Sequence, residues 1–431
     1  MREKLIIAFV VGCLLTLNVA AEEANQPPEG FSALFNGKNL DGWKGGSTVD
    51  PQKITAEQQA AWDADLANHW RVENGELVND GHEPHLTTKD DYGDFELWVD
   101  WKLPPNGDSG VYLRGYPQVQ IWDPSNKEVH KHGADKGSGA LWNNATHEKF
   151  PLELADKPTG EWNRMYIRMV GERVTVVLND KKVVDDVVME NYYDRSAPLL
   201  KKGPIHLQIH GHETRFRNVF IREIPTDEAN ELLSKMDGGD EGFEPLLSGN
   251  DFTGWMGNTD GYELVGGELR AKKGVSGNLL TEGEYDNFVV RMEFKLPPGG
   301  NNGLAIRTPE VEGDPSVTGL EIQVLDDGAE RYADLEPYQA HGSVYGLAPA
   351  HRGYLRPTGE WNYQEVVVDG DHVEVFLNGF KINDANLAEA RKQPVDGKEH
   401  PGAERTTGHV GFAGHHDPVA FRKFRIKRLG N

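Results

Sequence analysis

Cysteine is nearly missing: the 431 residues include one, Cys13. A lone thiol leaves no disulfide and no thiolate metal cluster, so stability must come from packing. Positive charge is scarce as well. Lys and Arg number 45 against 69 Asp and Glu, a formal net charge of −24, which repels nucleic-acid phosphates and anionic lipid surfaces and argues against both as partners. Long apolar runs are missing except at the start, where Leu5 to Leu17 is interrupted only by Gly12, Cys13 and Thr16. That run is short for a membrane span and polar sequence follows from Glu22. With Arg2 and Lys4 before it and Val19-Ala20-Ala21 after it, residues 1–21 read as an export signal cut after Ala21. The alternative is a lipoprotein signal at Val10-Val11-Gly12-Cys13; the apolar stretch continuing past Cys13 opposes it, because a lipidated cysteine normally begins a polar tether. The expected address is periplasmic or extracellular, without membrane insertion.

Helical periodicity is the last absence, and what stands in its place is a sequence written twice. "FNGKNLDGW" at Phe35–Trp43 returns as "LSGNDFTGW" at Leu247–Trp255, and "WKLPPNGDSGVYLRG" from Trp101 returns as "FKLPPGGNNGLAIRT" from Phe294. "PTGEWN" occurs unchanged at Pro158–Asn163 and Pro357–Asn362, and "HETRFRNVFIREI" closes one half much as "DPVAFRKFRIKRL" closes the other. The copies lie roughly 200 residues apart, a domain length rather than a solenoid or propeller period. Within each copy the apolar segments are short and alternate with period two. "RVTVVLND" puts Val174, Val176 and Leu178 on one face, "HVEVFLNG" does the same with Val373, Val375 and Leu377, and each ends in an Asn-Asp or Asn-Gly hairpin turn. Many short strands with 49 Gly and 24 Pro predict an all-β chain of two sandwiches, each of two antiparallel sheets. The boundaries expected are 29–225 and 242–430, with 226–241 as a linker carrying a short helix near Asp227–Met236. Thr55–Asn68, capped by Thr55 and Gln58, predicts a helix inserted in the first copy alone.

Strand alternation sorts the polar side chains. In "GLEIQVLDD" Leu320, Ile322 and Val324 share the core face, leaving Glu321 and Gln323 on the other and Asp326 at the strand end. The first copy offers Gln118, Gln120 and Asp123 in the same places. Arg307 opposes Leu304 and Ile306, and Arg114 is its counterpart. "IHLQIHGH" turns His206, Gln208 and His210 outward, and "HVGFAGHHD" does so with His409 and His415. A half-exposed antiparallel sheet is polar on one face without any function. Arg, Gln, Asp and His nonetheless recur in register, which favours a cleft. Trp43/Trp255 and Trp162/Trp361 read as packing anchors, although such rings can also stack on sugars. His130 and His132 lack metal-ligand spacing, and His415-His416-Asp417 is a weak candidate for a cation.

The series "FNGKNLDGW", "DFELWVDWKL…DSGVYLRG", "QVQIWD", "GEWN", "LND" and "LQIHGH…FRNVFIREI" resembles the 3-keto-disaccharide hydrolase family, whose members are also described as 3-keto-glycoside 1,2-lyases or 3-keto-2-hydroxyglucal hydratases. The likeness spans nearly all of both halves. It implies a concanavalin-A-like jelly-roll sandwich, export, and glycosides already oxidised at C3 by a partner oxidoreductase. The family strand Glu-x-Gln-x-x-Asp is met in full by Glu321, Gln323 and Asp326, whereas the first copy has Gln118 in place of Glu. The family histidine matches His210 and His415. "HGSVYG" is met by His341–Gly346; Ser138 stands at that place in the first copy, and Ala413 stands where the first copy has Gln208. The implied chemistry is removal of the C2 proton acidified by the ketone, then loss of the C1 substituent. It would use Glu321 or His415 as base, Arg307 and Gln323 to orient or stabilise the oxyanion, and His341 or Asp326 as acid or orienter. A divalent metal could replace Arg307 as electrophile. Arg114, Gln118, Gln120, Asp123, Gln208 and His210 would bind substrate. A lectin-like carbohydrate-binding protein is the rival class, and a conventional two-carboxylate glycoside hydrolase the third reading. The site demands that Arg307, Glu321, Gln323, His341 and His415 meet on one concave face.

Overall fold

The computed structural model describes residues 24–248 and 251–430; the expected export signal, residues 1–21, and Cys13 within it lie outside the described residues. Each half is an antiparallel sandwich. In the first, the larger sheet runs Lys181–Val188, Arg173–Leu178, Asn163–Val170, Phe95–Lys102, Thr214–Glu223, Glu76–Asn79 and Trp70–Glu73. The smaller runs Trp43–Gly46, His85–Thr88, His206–Ile209, Asp108–Tyr112 and Gln118–Trp122. The second half repeats both orders strand for strand, its smaller sheet being Trp255–Gly257, Ser276–Tyr285, Gly408–His415, Asn301–Thr308 and Leu320–Leu325. The chain is thus all-β, two tandem sandwiches as the alternating segments predict, of the jelly-roll kind that the family resemblance implies. Between the sheets lie Phe95, Leu97, Val99, Val111 and Val119 in one half and Phe294, Leu304, Ile322 and Phe412 in the other, all buried. Trp43 and Trp255 are buried too, each indole N–H donating to a carbonyl nine residues back, Leu34 at 2.8 Å and Leu246 at 2.9 Å.

Both asparagine turns are hairpins in the left-handed region, with φ of 49° and 66° at Asn179-Asp180 and 52° and 83° at Asn378-Gly379. This is the conformation that matches strand twist and that Asn and Gly reach at least cost. The inserted helix spans Ala56–His69 behind a complete Thr55/Gln58 capping box. It lies so close on strand Trp43–Gly46 that a Cβ at Gly45 would fall 2.5 Å from the Trp62 backbone. The second half has only the 3-10 turn Thr259–Gly261 at that point in the chain.

The segment joining the halves is a packed wedge. Its helix, Thr226–Met236, buries Ala229 and Leu233 in a cluster with Val170 and Ile224 of the first half and Tyr363 of the second. Asp237 at its end holds Arg173 at 2.7 Å and Tyr363 Oη at 3.3 Å, while Glu172 N donates across the junction to Gly379 O at 3.3 Å. A cleft of about 510 Å³ beside this junction is lined by Asp94, Lys201, Tyr354, Arg356 and Phe380. Among the described residues no helix is long and apolar enough to cross a membrane.

Candidate functional site

The smaller sheet of the second half holds Glu321, Gln323 and His415 together. Leu320, Ile322 and Val324 point into the core, so Glu321 and Gln323 take the opposite face, beside Ala305 and Gly303 of the neighbouring strand. Gly411 and Ala413 flank those two positions on the far side. Glu321 therefore lies on a floor of residues with little or no side chain. A Cβ at Gly303 would sit 2.0 Å from Glu321 Oε1. Glycine there lets the carboxylate cross the strand and meet His415 Nε2 at 3.3 Å. The Glu321 side chain is 5% exposed and that of His415 42%, so the pair is reached from the imidazole side. Burial pushes the Glu321 carboxyl above its ordinary range, with His415 drawing it partly back, and the Glu321 contact raises His415. A carboxyl shifted toward neutrality beside an imidazole can accept a proton and pass it on. Gln323 is buried alongside, its Oε1 accepting from Val324 N at 3.1 Å.

The first half holds a histidine–carboxylate pair at the same place, with the acid moved to another strand. Gln118 takes the position of Glu321 and lies over Gly110 in the same way, with Oε1 2.1 Å from where a Cβ would be. The acid is Asp108, the register counterpart of Asn301. Its Oδ2 meets His210 Nδ1 at 3.0 Å and its Oδ1 accepts from Gln120 Nε2 at 2.6 Å, while Gln120 Oε1 accepts from Gln118 Nε2 at 2.6 Å. His210 is raised by this contact with Asp108. Sequence reasoning passed over Asp108; the exchange of "DSG" for "NNG" beside that of Gln118 for Glu321 was the available signal.

The remaining expected site residues separate from these pairs. Arg307 does not reach the Glu321 face: it is 1% exposed, turned left-handed at φ 49° beside a strand irregularity, and aimed into a loop junction. There it donates to Asp286 O, Gly370 O at 2.8 Å and Arg405 O at 3.2 Å. Arg114, with φ 56°, likewise staples Gly93 O, Leu200 O and Asp94. These arginines recur because both copies need the same staple, and simple alternation fails where φ turns positive. His341 points into the core, stacked on Phe294 at 5.0 Å between ring centres, and its Nδ1 accepts from Leu325 N. Burial lowers it to about 3, and its ring lies on the core side of the sheet rather than on the Glu321 face. Asp326 and Asp123 are loop braces that accept from Gly299 N at 2.7 Å and from Asn106 N at 2.8 Å. Gln208 stays on the open face, its Oε1 3.0 Å from where a Cβ at Gly110 would be.

Residues 30–222 and again 242–427 match the family described as the 3-keto-alpha-glucoside-1,2-lyase-like domain. The chain belongs to that family. A 3-keto-disaccharide hydrolase of Bacteroides thetaiotaomicron is 28% identical over 233 residues, 44% of this chain and 79% of the relative. Two Parabacteroides distasonis crystal structures, of candidate glycosyl hydrolases, are each 28% identical. One covers 43% of this chain and 99% of its own at a TM-score of 0.40, the other 44% and 95% at 0.41. The two lyase-like domains differ from each other on the small-sheet face. Where the second has Asn278, Leu280, Ala305 and Gly411, the first has His85, Thr87, Tyr112 and His206 in register. His85 and His206 flank Tyr112 at 6.3 and 5.9 Å between ring centres. Burial depresses them to about 4 and about 3. His85 Nε2, Thr87 Oγ1 and both His206 ring nitrogens have no hydrogen-bond partner among the described residues. Alternation exposed His206; His85 was missed, because a single histidine before "LTT" carries no pattern.

For a divalent metal, two three-ligand groups occur among the described residues, His69/Asp80/His82 and His372/Glu374/Asp384. In the second the Lys381 ammonium already lies 3.1 Å from Glu374 and 2.6 Å from Asp384. Neither group includes a residue of the two histidine–carboxylate pairs. The faces of Trp162 and Trp361 are covered by Lys102 and Arg217 and by Lys295 and Arg422, each within 4.6 Å of the ring centre, which makes them anchors rather than sugar platforms.

Proposed function

We propose that this protein is an exported enzyme that cleaves glycosides already oxidised to a ketone at C3. The observation that carries the reading is the buried Glu321 carboxylate, raised by its surroundings and in contact with His415, in a chain of this family. The C3 ketone makes the C2 proton acidic. Glu321 removes it, and the C2–H electron pair moves into an enolate. That pair then forms a C1=C2 double bond as the C1–O bond breaks, and the departing oxygen takes a proton from His415. Gln323 is the amide placed to hydrogen-bond the sugar. Water added later to the unsaturated sugar gives net hydrolysis. A C3-specific sugar oxidation must come first, since an ordinary glycoside has no such acidic proton.

A carbohydrate-binding protein is the second reading, because this fold class serves binding as well as catalysis. A two-carboxylate hydrolase is less well supported, since each face pairs one carboxylate with an imidazole and not with a second acid. The deciding experiment supplies methyl 3-keto-glucoside and methyl glucoside to the purified protein and measures methanol release. Release from the ketone alone is expected. Equal release from both would identify a conventional hydrolase, and release from neither would leave only binding.

A further inference from the structure

We propose that the first lyase-like domain is a second proton-transfer site, in which His210 is the base and Asp108 positions it. The inference rests on the ketone reading above and extends it to the half whose Gln118 replaces the family glutamate.

Three observations carry it. The first is conservation of content rather than position. Each small sheet has one carboxylate and one amide at the two register positions from which an acid meets the outward histidine in one domain or the other, Glu321 with Asn301 in one and Asp108 with Gln118 in the other. A merely solvated face would keep polarity but not this count. The second is orientation. Asp108 is pinned through Oδ1 by Gln120, itself held by Gln118, so Oδ2 is committed to His210 Nδ1. With the Nδ1 proton donated to Asp108, His210 Nε2 carries the free lone pair. The third is access. The His210 side chain is 70% exposed and Asp108 28%. Gln118, 4% exposed, and Gln208 present Oε1 atoms with no partner among the described residues, both over Gly110. Two amide acceptors beside an exposed imidazole suit the hydroxyl donors of a sugar.

The step balances without any added reagent. The C2–H bond breaks, its proton goes to Nε2 and its electron pair into the enolate. The pair then forms C1=C2 while C1–O breaks, and the Nε2 proton leaves with the aglycone oxygen. The two domains thus use opposite members of the pair. In the second the acid is buried and acts as base; in the first the acid stands behind an exposed imidazole.

The test follows methyl 3-keto-glucoside by C2 deuterium exchange and methanol release in deuterated buffer. Glu321→Gln and His210→Gln alone should each keep at least about a tenth of wild-type turnover, and the double variant should lose about 100-fold or more. In the Glu321→Gln background, Asp108→Asn should lower kcat by about 100-fold with KM nearly unchanged, and Asp108→Glu should recover part of it, which a merely structural aspartate would not do. The proposal is overturned if Glu321→Gln alone is as inactive as the double variant, or if adding His210→Gln to it changes nothing. A wild type inert toward the ketone would sink the functional reading itself and this site with it, a pattern distinct from either.

Discussion

Gly303→Ala puts the site to a sharp geometric test. The added methyl would lie 2.0 Å from Glu321 Oε1, 2.5 Å from Cδ and 2.6 Å from Cγ. Ordinary contact begins near 3.4 Å, so the carboxylate must retreat by more than about 1 Å. The contact with His415 is already 3.3 Å and will not survive that shift. A displacement of about 1 Å in a reacting group costs on the order of 100-fold in rate. Stability should fall much less. The obstructing atoms belong to a side chain rather than to backbone, so the overpacking cost lies near the low end of about 1–3 kcal/mol, a melting-point drop of about 2–4 °C for a domain of this size. The assay is kcat on methyl 3-keto-glucoside in a His210→Gln background, where only the second domain reports, with a thermal melt beside it. A folded Gly303→Ala protein with undiminished kcat would refute the placement of Glu321 in proton transfer.

Arg307→Ala should do the converse, lowering the melting temperature by several degrees while leaving KM for the ketone unchanged in the folded protein, because it strands the Asp286, Gly370 and Arg405 carbonyls; a selective rise in KM would return Arg307 to the substrate site. Acid should destabilise the chain through His85, His206 and His341. Their folded values, about 4, about 3 and about 3, lie below the unfolded 6.5, so the neutral form is favoured on folding. Their contribution is complete above that value and is lost as pH falls toward the folded values, about 2 kcal/mol per group by pH 5. Denaturant melts of wild type and His206→Gln at pH 7 and pH 5 check this: the variant should lose less on acidification, and equal losses would refute it.

The sandwiches were readable because alternation and turn chemistry are local. Val174, Val176 and Leu178, closed by Asn179-Asp180, state a strand and its hairpin without help from elsewhere. Glu321, Gln323, Gln120 and His415 were readable for the same reason, since a regular strand sends alternate side chains to opposite faces. Arg114 and Arg307 misled because alternation assumes extended backbone, and both sit where φ has turned left-handed. His341 misled because it lies on a loop, where no period says whether a side chain faces core or solvent. Asp108 stayed hidden because its place beside His210 depends on register with Gln118 and on the reach of His210, relations between strands that no single segment contains.

The exchanged acid also constrains how the two halves diverged. To pass from Glu321 with Asn301 to Gln118 with Asp108, or the reverse, an ancestor changed two residues on adjacent strands. If the old carboxylate went first, the histidine faced two amides and the site held no acid. If the new one came first, two carboxylates shared one imidazole, with pKa values driven apart by repulsion yet with a base still present. If the pair transfers protons as proposed, only gain before loss keeps every intermediate competent. A half that looks like a dead copy when scored column by column can be one that finished such a migration, so in duplicated enzymes inactivity is better judged by the charge that surrounds the histidine than by the residue at the expected place.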